Sequence, residues 1–309
     1  MTDIVERALE HWGLAGAKSG LVAARENAVY EVTLGDTRVA LRLHRQGYRA
    51  DSELRSELAW MDQAAKGGLN VAAPIPAQNG ALLLEIDGTQ IDVLTWLTGR
   101  TMTETLGATD PEEHAPILFT LGCEMARLHQ VSDAWTKPPD FERIHWDAEG
   151  LLGDAPVWDR FWENPELSKA DRDRFTAFRH EASAKLTEIG RSLDYGLIHA
   201  DLVPENVLID GKALRLLDFD DGGFGYRLFD VATALLKHMS APNYPQLQSS
   251  LIDGYQSVRP LDMAELDLFL ALRAATYVGW NITRMTEKNG VERNRRFIDT
   301  LLGLATPCL

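Results

Sequence analysis

The feature that most constrains this chain is the spacing of three polar residues, Asp201, Asn206 and Asp218. The run VLIDGKALRLL between Asn206 and Asp218 holds two apolar stretches, separated by the tight-turn signal Asp210-Gly211. Because a tight turn pairs the two strands of a hairpin, the chain enters and leaves the hairpin at the same end. The spacing therefore predicts that all three polar residues lie on loops at one end of a rigid hairpin.

These three side chains have a common chemistry. Two carboxylates and one amide are oxygen ligands, the type that Mg²⁺ prefers, and Mg²⁺ keeps few protein ligands and shares the rest with phosphates. The alternative is a buried hairpin with incidental polar residues at its ends, but that alternative explains none of the spacing. We therefore expect a site for Mg²⁺ and a phosphate compound.

The wording around these residues carries a resemblance to a known family. HADLVPEN, which begins at His199, and LLDFDDGGFGYRLFDVA, which begins at Leu216, resemble the kinase catalytic core, H-x-D-x-x-x-x-N followed by an Asp-Phe metal motif. More narrowly, they are similar to the aminoglycoside phosphotransferase and choline kinase-like group, which includes homoserine kinases of the second type and bacterial stress-response kinases. The resemblance implies an α+β, bilobal, protein-kinase-like fold. It comprises a small antiparallel nucleotide-binding lobe, residues 1–97, and a larger helical lobe, residues 98–309.

The same resemblance assigns roles to individual residues. Asp201 is expected to orient the acceptor hydroxyl and take its proton, and Asn206 and Asp218 are expected to hold Mg²⁺ against the phosphates of ATP. ATP and Mg²⁺ are thus the implied cofactors. Asp220 and Asp221 follow the metal motif and either line the acceptor site or belong to a solvated loop. An Asp at position 230 is expected to bond the catalytic loop as a scaffold.

A predicted strand in the small lobe carries a candidate phosphate-binding residue. The strand VALRL has Arg42 where the family more often has Lys, and Arg can grip a phosphate with its planar fork. Asp51-Ser52 starts a predicted helix whose Glu57 stands at the family's ion-pair position, so we expect Arg42 and Glu57 to pair. The competing interpretations are an exposed strand arginine and a solvated helix glutamate.

Two further segments are candidates for nucleotide contacts. The turn Arg25-Glu26-Asn27-Ala28 stands where kinases cover the phosphates but lacks their glycine-rich motif, so Asn27 is either a contact or a plain turn residue. The segment LTWLTG, which begins at Leu94, resembles the hinge between kinase lobes. By that resemblance the backbones of Thr95 and Leu97 bind the adenine edge.

The remaining segments predict structure more than chemistry. His129 ends an apolar stripe of a helix and is expected to be a packed structural residue. The aromatic segment from Trp135 to Pro165 either varies with substrate or wraps the surface on its own tryptophans. Helical patterns cover Ser168 to Ile189, and three more helices are expected between Tyr244 and Leu304.

Composition limits the classes of partner and compartment. A net charge of −15 over 309 residues argues against nucleic acid and anionic membranes, and it reflects either solubility or a groove for a cationic substrate. Cys123 and Cys308 offer no disulfide framework and no metal spacing, which indicates a reducing cytoplasm. No signal peptide and no membrane-spanning run is expected.

The nature of the phosphate acceptor follows from what the sequence lacks. Only 11 residues separate Asp218 from Asp230 and no Ala-Pro-Glu follows, so the long segment that supports a peptide substrate is missing. A small hydroxylated metabolite is therefore expected, such as an amino alcohol, an amino acid like homoserine, or an aminoglycoside-like compound. The alternatives are a serine/threonine protein kinase of the stress-response type, which also lacks the long segment, and a non-catalytic nucleotide-binding protein. The second is disfavoured because Asp201, Asn206 and Asp218 are all present.

Overall fold

The structure, a computed structural model, describes residues 2–24 and 27–305. These residues form two compact units. The first unit contains residues up to 102 together with 134–143 and 207–220. The second contains 103–133, 144–206 and the residues from 221 onward.

The described residues contain ten α-helices and eleven β-strands. The helices are α1 Thr2–His11, α2 Asp51–Lys66, α3 Met102–Leu106, α4 His114–Ala134, α5 Ala148–Leu152, α6 Lys169–Ile189, α7 Arg227–Leu236, α8 Tyr244–Gln256, α9 Leu266–Trp280 and α10 Gly290–Ala305. The strands are β1 Lys18–Ala24, β2 Asn27–Leu34, β3 Thr37–His44, β4 Leu84–Ile86, β5 Thr89–Thr95, β6 Arg100–Thr101, β7 His145–Trp146, β8 Tyr195–Ile198, β9 Val207–Asp210, β10 Ala213–Leu216 and β11 Gly223–Tyr226.

The first unit is built on a five-stranded antiparallel sheet in the order β1-β2-β3-β5-β4. The period of two along β3 sends Val39, Leu41 and Leu43 to one face, where they share an apolar cluster with residues of α1. The intervening residues Arg42 and His44 therefore point to the opposite face. This alternation decides which side of the sheet carries the candidate site.

The predicted hairpin around Asp210-Gly211 is confirmed. Strands β9 and β10 pair antiparallel with Val207 opposite Leu216, and Gly211 takes the left-handed φ of +62° that this tight turn needs. Strand β6 adds to the other edge of β9, which makes a three-stranded sheet in the first unit. At one edge of the five-stranded sheet, the short strand Leu84–Ile86 pairs with β5.

The second unit is mainly helical, and its elements follow the sequence signals closely. Helix α6 begins after Ser168, whose hydroxyl oxygen accepts a hydrogen bond from the Asp171 amide at 3.1 Å, as an N-cap does. Pro116 lies in the first turn of α4, where a proline costs no intrahelical hydrogen bond. The three helices expected after Tyr244 are present as α8, α9 and α10.

The predicted α+β class is confirmed by these two units, one built on an antiparallel sheet and one mainly helical. The lobe boundary after residue 97 stays a prediction. Throughout the described part of the chain, no helix combines the length and the apolar character needed to cross a membrane.

Candidate active site

A polar cluster lies on the face of the first unit's sheet that is opposite to α1. The strand register places Arg42 opposite Asp92 on β5 and places His44 opposite Asn27 on β2. Helix α2 contributes Glu57 to the same cluster. We call these five residues the sheet cluster.

The centre of the sheet cluster is Arg42. Its Nε and Nη2 donate to the two carboxylate oxygens of Asp92, each at 2.9 Å, and its Nη1 donates to Glu57 Oε1 at 2.8 Å. Arg42 is only 6% exposed, so these charge-assisted bonds are made away from water. The predicted pair of Arg42 and Glu57 is thus present in the structure, while its role toward a nucleotide stays a prediction.

Mutual electrostatics keep this cluster ionised. Burial by itself would lower the pKa of the Arg42 guanidinium, but Asp92 and Glu57 outweigh burial and raise that pKa. Burial would likewise raise the pKa of Asp92, yet Arg42 and His44 lower it to about 2. The pKa of Glu57 is also lowered, because Arg42, Arg143 and His44 together outweigh its burial. Arg42 therefore presents a permanent positive charge in a fixed position.

Asn27 takes part in the cluster through His44. The Asn27 side-chain oxygen lies 3.1 Å from His44 Nδ1, and His44 Nε2 lies 2.6 Å from Asp92 Oδ2. The predicted turn residues Arg25 and Glu26 lie outside the described residues. Asn27 itself is the first residue of β2, and its contact with phosphate stays a prediction.

The metal motif is anchored to helix α2 through a residue that the sequence analysis did not single out. Arg143 Nη2 donates to the carbonyl oxygens of Phe219 and Asp220 at 2.8 and 2.6 Å. Its Nη1 donates to the Glu53 carbonyl at 3.0 Å and lies 3.5 Å from Glu57. Arg143 therefore ties the backbone of the metal motif to the helix that carries Glu57.

Two neighbouring residues of the metal motif, Asp218 and Phe219, differ in exposure to solvent. The Phe219 ring is fully buried and meets Trp60 edge-to-face with 5.0 Å between ring centroids. Asp218 is exposed and has a left-handed backbone φ of +62°. This conformation is uncommon for a residue other than glycine and is typical of functional positions.

Asp220 and Asp221, the predicted acceptor contacts, differ in burial. Asp220 is buried, and Arg49 Nη2 lies 3.5 Å from its carboxylate. Burial and the nearby charge of Glu57 raise the pKa of Asp220. Asp221 is half-buried, and its carbonyl oxygen accepts a hydrogen bond from Trp146 Nε1 at 2.8 Å. Asp221 is thus the more accessible of the two.

The predicted hinge residues lie at and after the end of β5. The Thr95 amide donates to the Ala73 carbonyl at 2.8 Å, and the Thr95 hydroxyl accepts from the Ala73 amide at 2.9 Å. A backbone contact from Thr95 to adenine would therefore have to use its carbonyl oxygen. Leu97 is half-buried beyond the end of the strand.

In the second unit, Asp201 and Asn206 form a closed loop. Asn206 Nδ2 donates to Asp201 Oδ2 at 2.7 Å and to the Asp201 carbonyl at 3.0 Å. The other carboxylate oxygen, Oδ1, accepts from Arg273 Nη2 at 2.7 Å. The Asp201 side chain is 22% exposed, so its carboxylate is oriented by two donors and still reaches solvent.

Asp230 holds the backbone of this loop, as the resemblance implied. Its carboxylate accepts from the amides of His199 and Ala200 at 2.8 and 2.6 Å. Ala200 has a left-handed φ of +62°, which costs a residue with a Cβ about 1–2 kcal/mol. The two charge-assisted bonds offset that cost and fix the direction in which Asp201 leaves the loop.

His129 is confirmed as a packed structural residue. It is fully buried, with Nε2 lying 3.0 Å from Asp230 and Nδ1 lying 2.8 Å from the Tyr255 hydroxyl. Burial and the charge of Arg227 lower the pKa of His129 to about 4, against a smaller opposing effect of Asp230. The imidazole is therefore neutral at pH 7.

This histidine makes folding stability depend on pH. The unfolded chain takes up a proton at His129 near its ordinary pKa of 6.5, whereas the folded chain does so only near 4. Stability is therefore fully present above pH 6.5 and falls as the pH drops from 6.5 toward 4, by at most about 3 kcal/mol. Urea unfolding between pH 7.5 and 4.5 should show a steeper loss for the wild type than for His129→Gln. His180→Gln, which changes an exposed histidine of α6, should retain the wild-type slope, and equal slopes in all three proteins would contradict the assignment.

Comparison with known proteins shows the family and the enzyme class of this chain. The sequence profile of the Phosphotransferase enzyme family matches residues 20–269, and the chain belongs to that family. The enzyme class predicted from the sequence, a kinase that transfers phosphate to an alcohol group, is thereby confirmed.

Individual relatives are named small-molecule kinases. A homoserine kinase of Agrobacterium fabrum is 27% identical, over 92% of this chain and 86% of the relative. A solved microcompartment-associated aminopropanol kinase is 29% identical with a TM-score of 0.83, over 100% of this chain and 96% of that one. An amicoumacin kinase, solved in complex with AMP-PNP, Ca²⁺ and Ami, is 20% identical with a TM-score of 0.79. That last similarity covers 97% of this chain and 92% of the other, and it shows the shared fold.

Proposed function

We propose that this enzyme transfers the γ-phosphate of ATP, with Mg²⁺, to the hydroxyl group of a small metabolite that carries an amino group. The acceptor class comprises amino alcohols and hydroxy amino acids. The observation that carries the proposal is the closed loop of Asp201 and Asn206, which Asp230 holds from behind.

The donor set of the chain fits a magnesium ion. Because Asn206 Nδ2 donates to Asp201, the other atom of the amide group, Oδ1, is the one suited to bind a cation. Asp218 would be the second ligand, and this residue is exposed. In the described part of the chain no three His, Cys, Asp or Glu side chains gather as a metal-binding group. This suits Mg²⁺, which takes one or two carboxylates and completes its shell with phosphates and water. When bound, the ion would neutralise charge on the phosphates.

Asp201 is proposed to act on the acceptor. Its carboxylate would accept a hydrogen bond from the acceptor hydroxyl and aim the oxygen at the γ-phosphorus. As the new O–P bond forms, the bond from phosphorus to the bridging oxygen breaks, ADP leaves, and the hydroxyl proton moves to Asp201. Since such transition states are loose, positioning and charge contribute more than early proton removal.

Arg42 is proposed to contact the phosphates. Three of its five N–H groups serve Asp92 and Glu57, so one N–H on each of Nη1 and Nη2 remains for an anion. The sheet cluster holds the Arg42 guanidinium in one place, so the side chain loses little conformational entropy when a nucleotide binds. Asn27, Thr95 and Leu97 are proposed as further nucleotide contacts.

The chain after the metal motif favours a small acceptor. Within the ten residues 221–230, the chain forms strand β11 and enters helix α7. No extended segment that could support a peptide is inserted there. This distinguishes the chain from protein kinases with a long activation segment. The named relatives, which are small-molecule kinases, support a metabolite as acceptor over the stress-response protein kinase alternative. A cytoplasmic location and the lack of nucleic acid partners stay predictions from composition.

The metal role of Asp218 gives a direct test. Asp218→Ala should weaken ATP binding at least about tenfold in the presence of Mg²⁺ and change it little in the presence of EDTA, because only the metal-dependent contact is lost. Titration calorimetry measures the ATP affinity of each protein with Mg²⁺ and with EDTA. Asp253→Ala, an exposed position of α8, is the control and should match the wild type. Equal loss for Asp218→Ala with and without Mg²⁺ would contradict a metal-ligand role.

A further inference from the structure

Helix α9 carries a buried charge that the proposed roles do not yet include. Arg273 lies in the middle of the helix, between apolar neighbours, and its side chain is 0% exposed. A buried guanidinium is costly unless it is paired. Arg273 pairs with Asp201, at 2.7 Å from Nη2 to Oδ1, and the same nitrogen lies 3.1 Å from the Tyr277 hydroxyl.

Aromatic rings fix the guanidinium in place. The Arg273 Cζ atom lies 4.3 Å from the centroid of Tyr277, 4.7 Å from Trp158 and 5.4 Å from Phe229, all within the range of cation–π attraction. Trp158 comes from the aromatic insertion and meets Trp146 edge-to-face with 5.3 Å between centroids. The insertion therefore acts, at least through Trp158, on the residue that holds Asp201.

Hydrogen bonding alone does not explain why Arg273 is there. Its Nε and Nη1 are buried without a hydrogen-bond partner among the described residues. Unmet buried donors destabilise a fold, so an arginine with only a structural role should have more partners than this one has. The ion pair that Arg273 does make is with Asp201, the carboxylate to which we assign the acceptor chemistry.

We propose that Arg273 is a positioning residue that orients the carboxylate of Asp201 for the acceptor hydroxyl, an inference that rests on the proposed function. Arg273 fixes Oδ1 and Asn206 fixes Oδ2, so the carboxylate plane cannot rotate about its Cβ–Cγ bond. Each oxygen keeps a second lone-pair direction, and the acceptor hydroxyl can donate to one of them. Without Arg273 the plane is held on one side only, and the reacting oxygen loses its alignment.

The test compares Arg273→Met and Arg273→Lys with the wild type. In Arg273→Met, kcat should fall about 10- to 100-fold, the scale of a small misplacement, while the KM for ATP changes less than about twofold. Arg273→Lys keeps a cation and should recover part of kcat. Arg293→Met is the control, because Arg293 also lies over an aromatic ring, that of Trp280, but has no contact with Asp201. Its kcat should equal that of the wild type.

A double-substitution cycle separates positioning from a purely structural role. In an Asp201→Asn background, Arg273→Met should lower kcat less than about twofold further, because residues that act as a unit are not additive. An undiminished 10- to 100-fold effect in that background, or a parallel loss of Tm and ATP affinity, would overturn the proposal. If Arg273→Met does not fold, an Arg273→Lys enzyme with unchanged kcat would overturn it. Absence of turnover in the wild type would instead overturn the proposed function, and with it this role.

Discussion

Asp201→Asn should lower turnover by about 10²–10⁴-fold while leaving ATP affinity nearly unchanged. The substitution removes both the negative charge and the proton acceptor from the position that faces the acceptor hydroxyl. It also places an NH₂ group where either Arg273 or Asn206 now donates, so two donors would face each other. We therefore expect a modest loss of Tm in addition to the loss of turnover.

The measurement is initial-rate kinetics with an acceptor that the wild type uses, together with calorimetric titration of ATP. Asp253→Asn is the matched control, since it makes the same chemical change at an exposed position in the second unit. Equal turnover in Asp201→Asn and the wild type would remove Asp201 from the mechanism. A loss of ATP affinity as large as the loss of turnover would move Asp201 from the acceptor to the nucleotide.

Arg42→Ala should cost about 3–5 kcal/mol of unfolding free energy and abolish most of the use of ATP. It leaves the carboxylates of Asp92 and Glu57 buried without their main counter-charge, which is the expensive way to break a buried ion pair. Arg42→Lys should retain a measurable fraction of activity, because Lys is the commoner residue of the resembled family. It should still be less stable than the wild type, since an ammonium group cannot reproduce the two-pronged contact with Asp92.

Urea unfolding at pH 7.5 measures the stability term, and ATP-dependent turnover measures the functional one. Arg38→Ala is a control on the same strand, because Arg38 pairs with Glu31 while 46% of its side chain is exposed. That substitution should cost about 1 kcal/mol or less. If Arg42→Ala costs no more than Arg38→Ala, the buried ion pairs of Arg42 do not stabilise the fold as proposed.

Local signals were sufficient to predict much of this fold. The hairpin after Asn206 follows from Asp210-Gly211 between two apolar runs, and helix α6 follows from the amphipathic pattern over Ser168 to Ile189. These features depend on residues only a few positions apart, so they can be predicted from the local sequence. Asp230 and His129 were assigned their structural roles correctly for a different reason, since one came from the family resemblance and the other from an apolar helical stripe.

The long-range partners could not be predicted in the same way. Asp92 joins Arg42, and Asn27 joins His44, only through the register of three strands, and register is set by the whole sheet. A signal was nevertheless present, because Asp92 is a lone charge within the apolar strand segment Ile91–Leu94. Arg273 is a similar charge in the apolar middle of helix α9, where it interrupts a hydrophobic run, but the sequence does not indicate its partner.

Arg143 shows a second limit of sequence reasoning. It lies in a segment predicted only as an aromatic insertion, and its partners are backbone carbonyls of Phe219 and Asp220. Every residue has a backbone carbonyl, so the amino-acid types in the sequence do not indicate which carbonyls Arg143 will bind. The support of the metal motif is therefore visible only once the fold is known.

The proposed reaction of this enzyme moves phosphate from ATP to the hydroxyl of a small amino compound. The most direct measurement is ³¹P NMR of the wild-type enzyme incubated with Mg·ATP and, one at a time, amino alcohols, homoserine and aminoglycosides. We expect a phosphate monoester to appear with at least one acceptor in a one-to-one ratio with ADP, and to be absent with Asp201→Asn on the same time scale. Formation of ADP and free phosphate alone, or no reaction with any small acceptor while a protein substrate is phosphorylated, would contradict the claim.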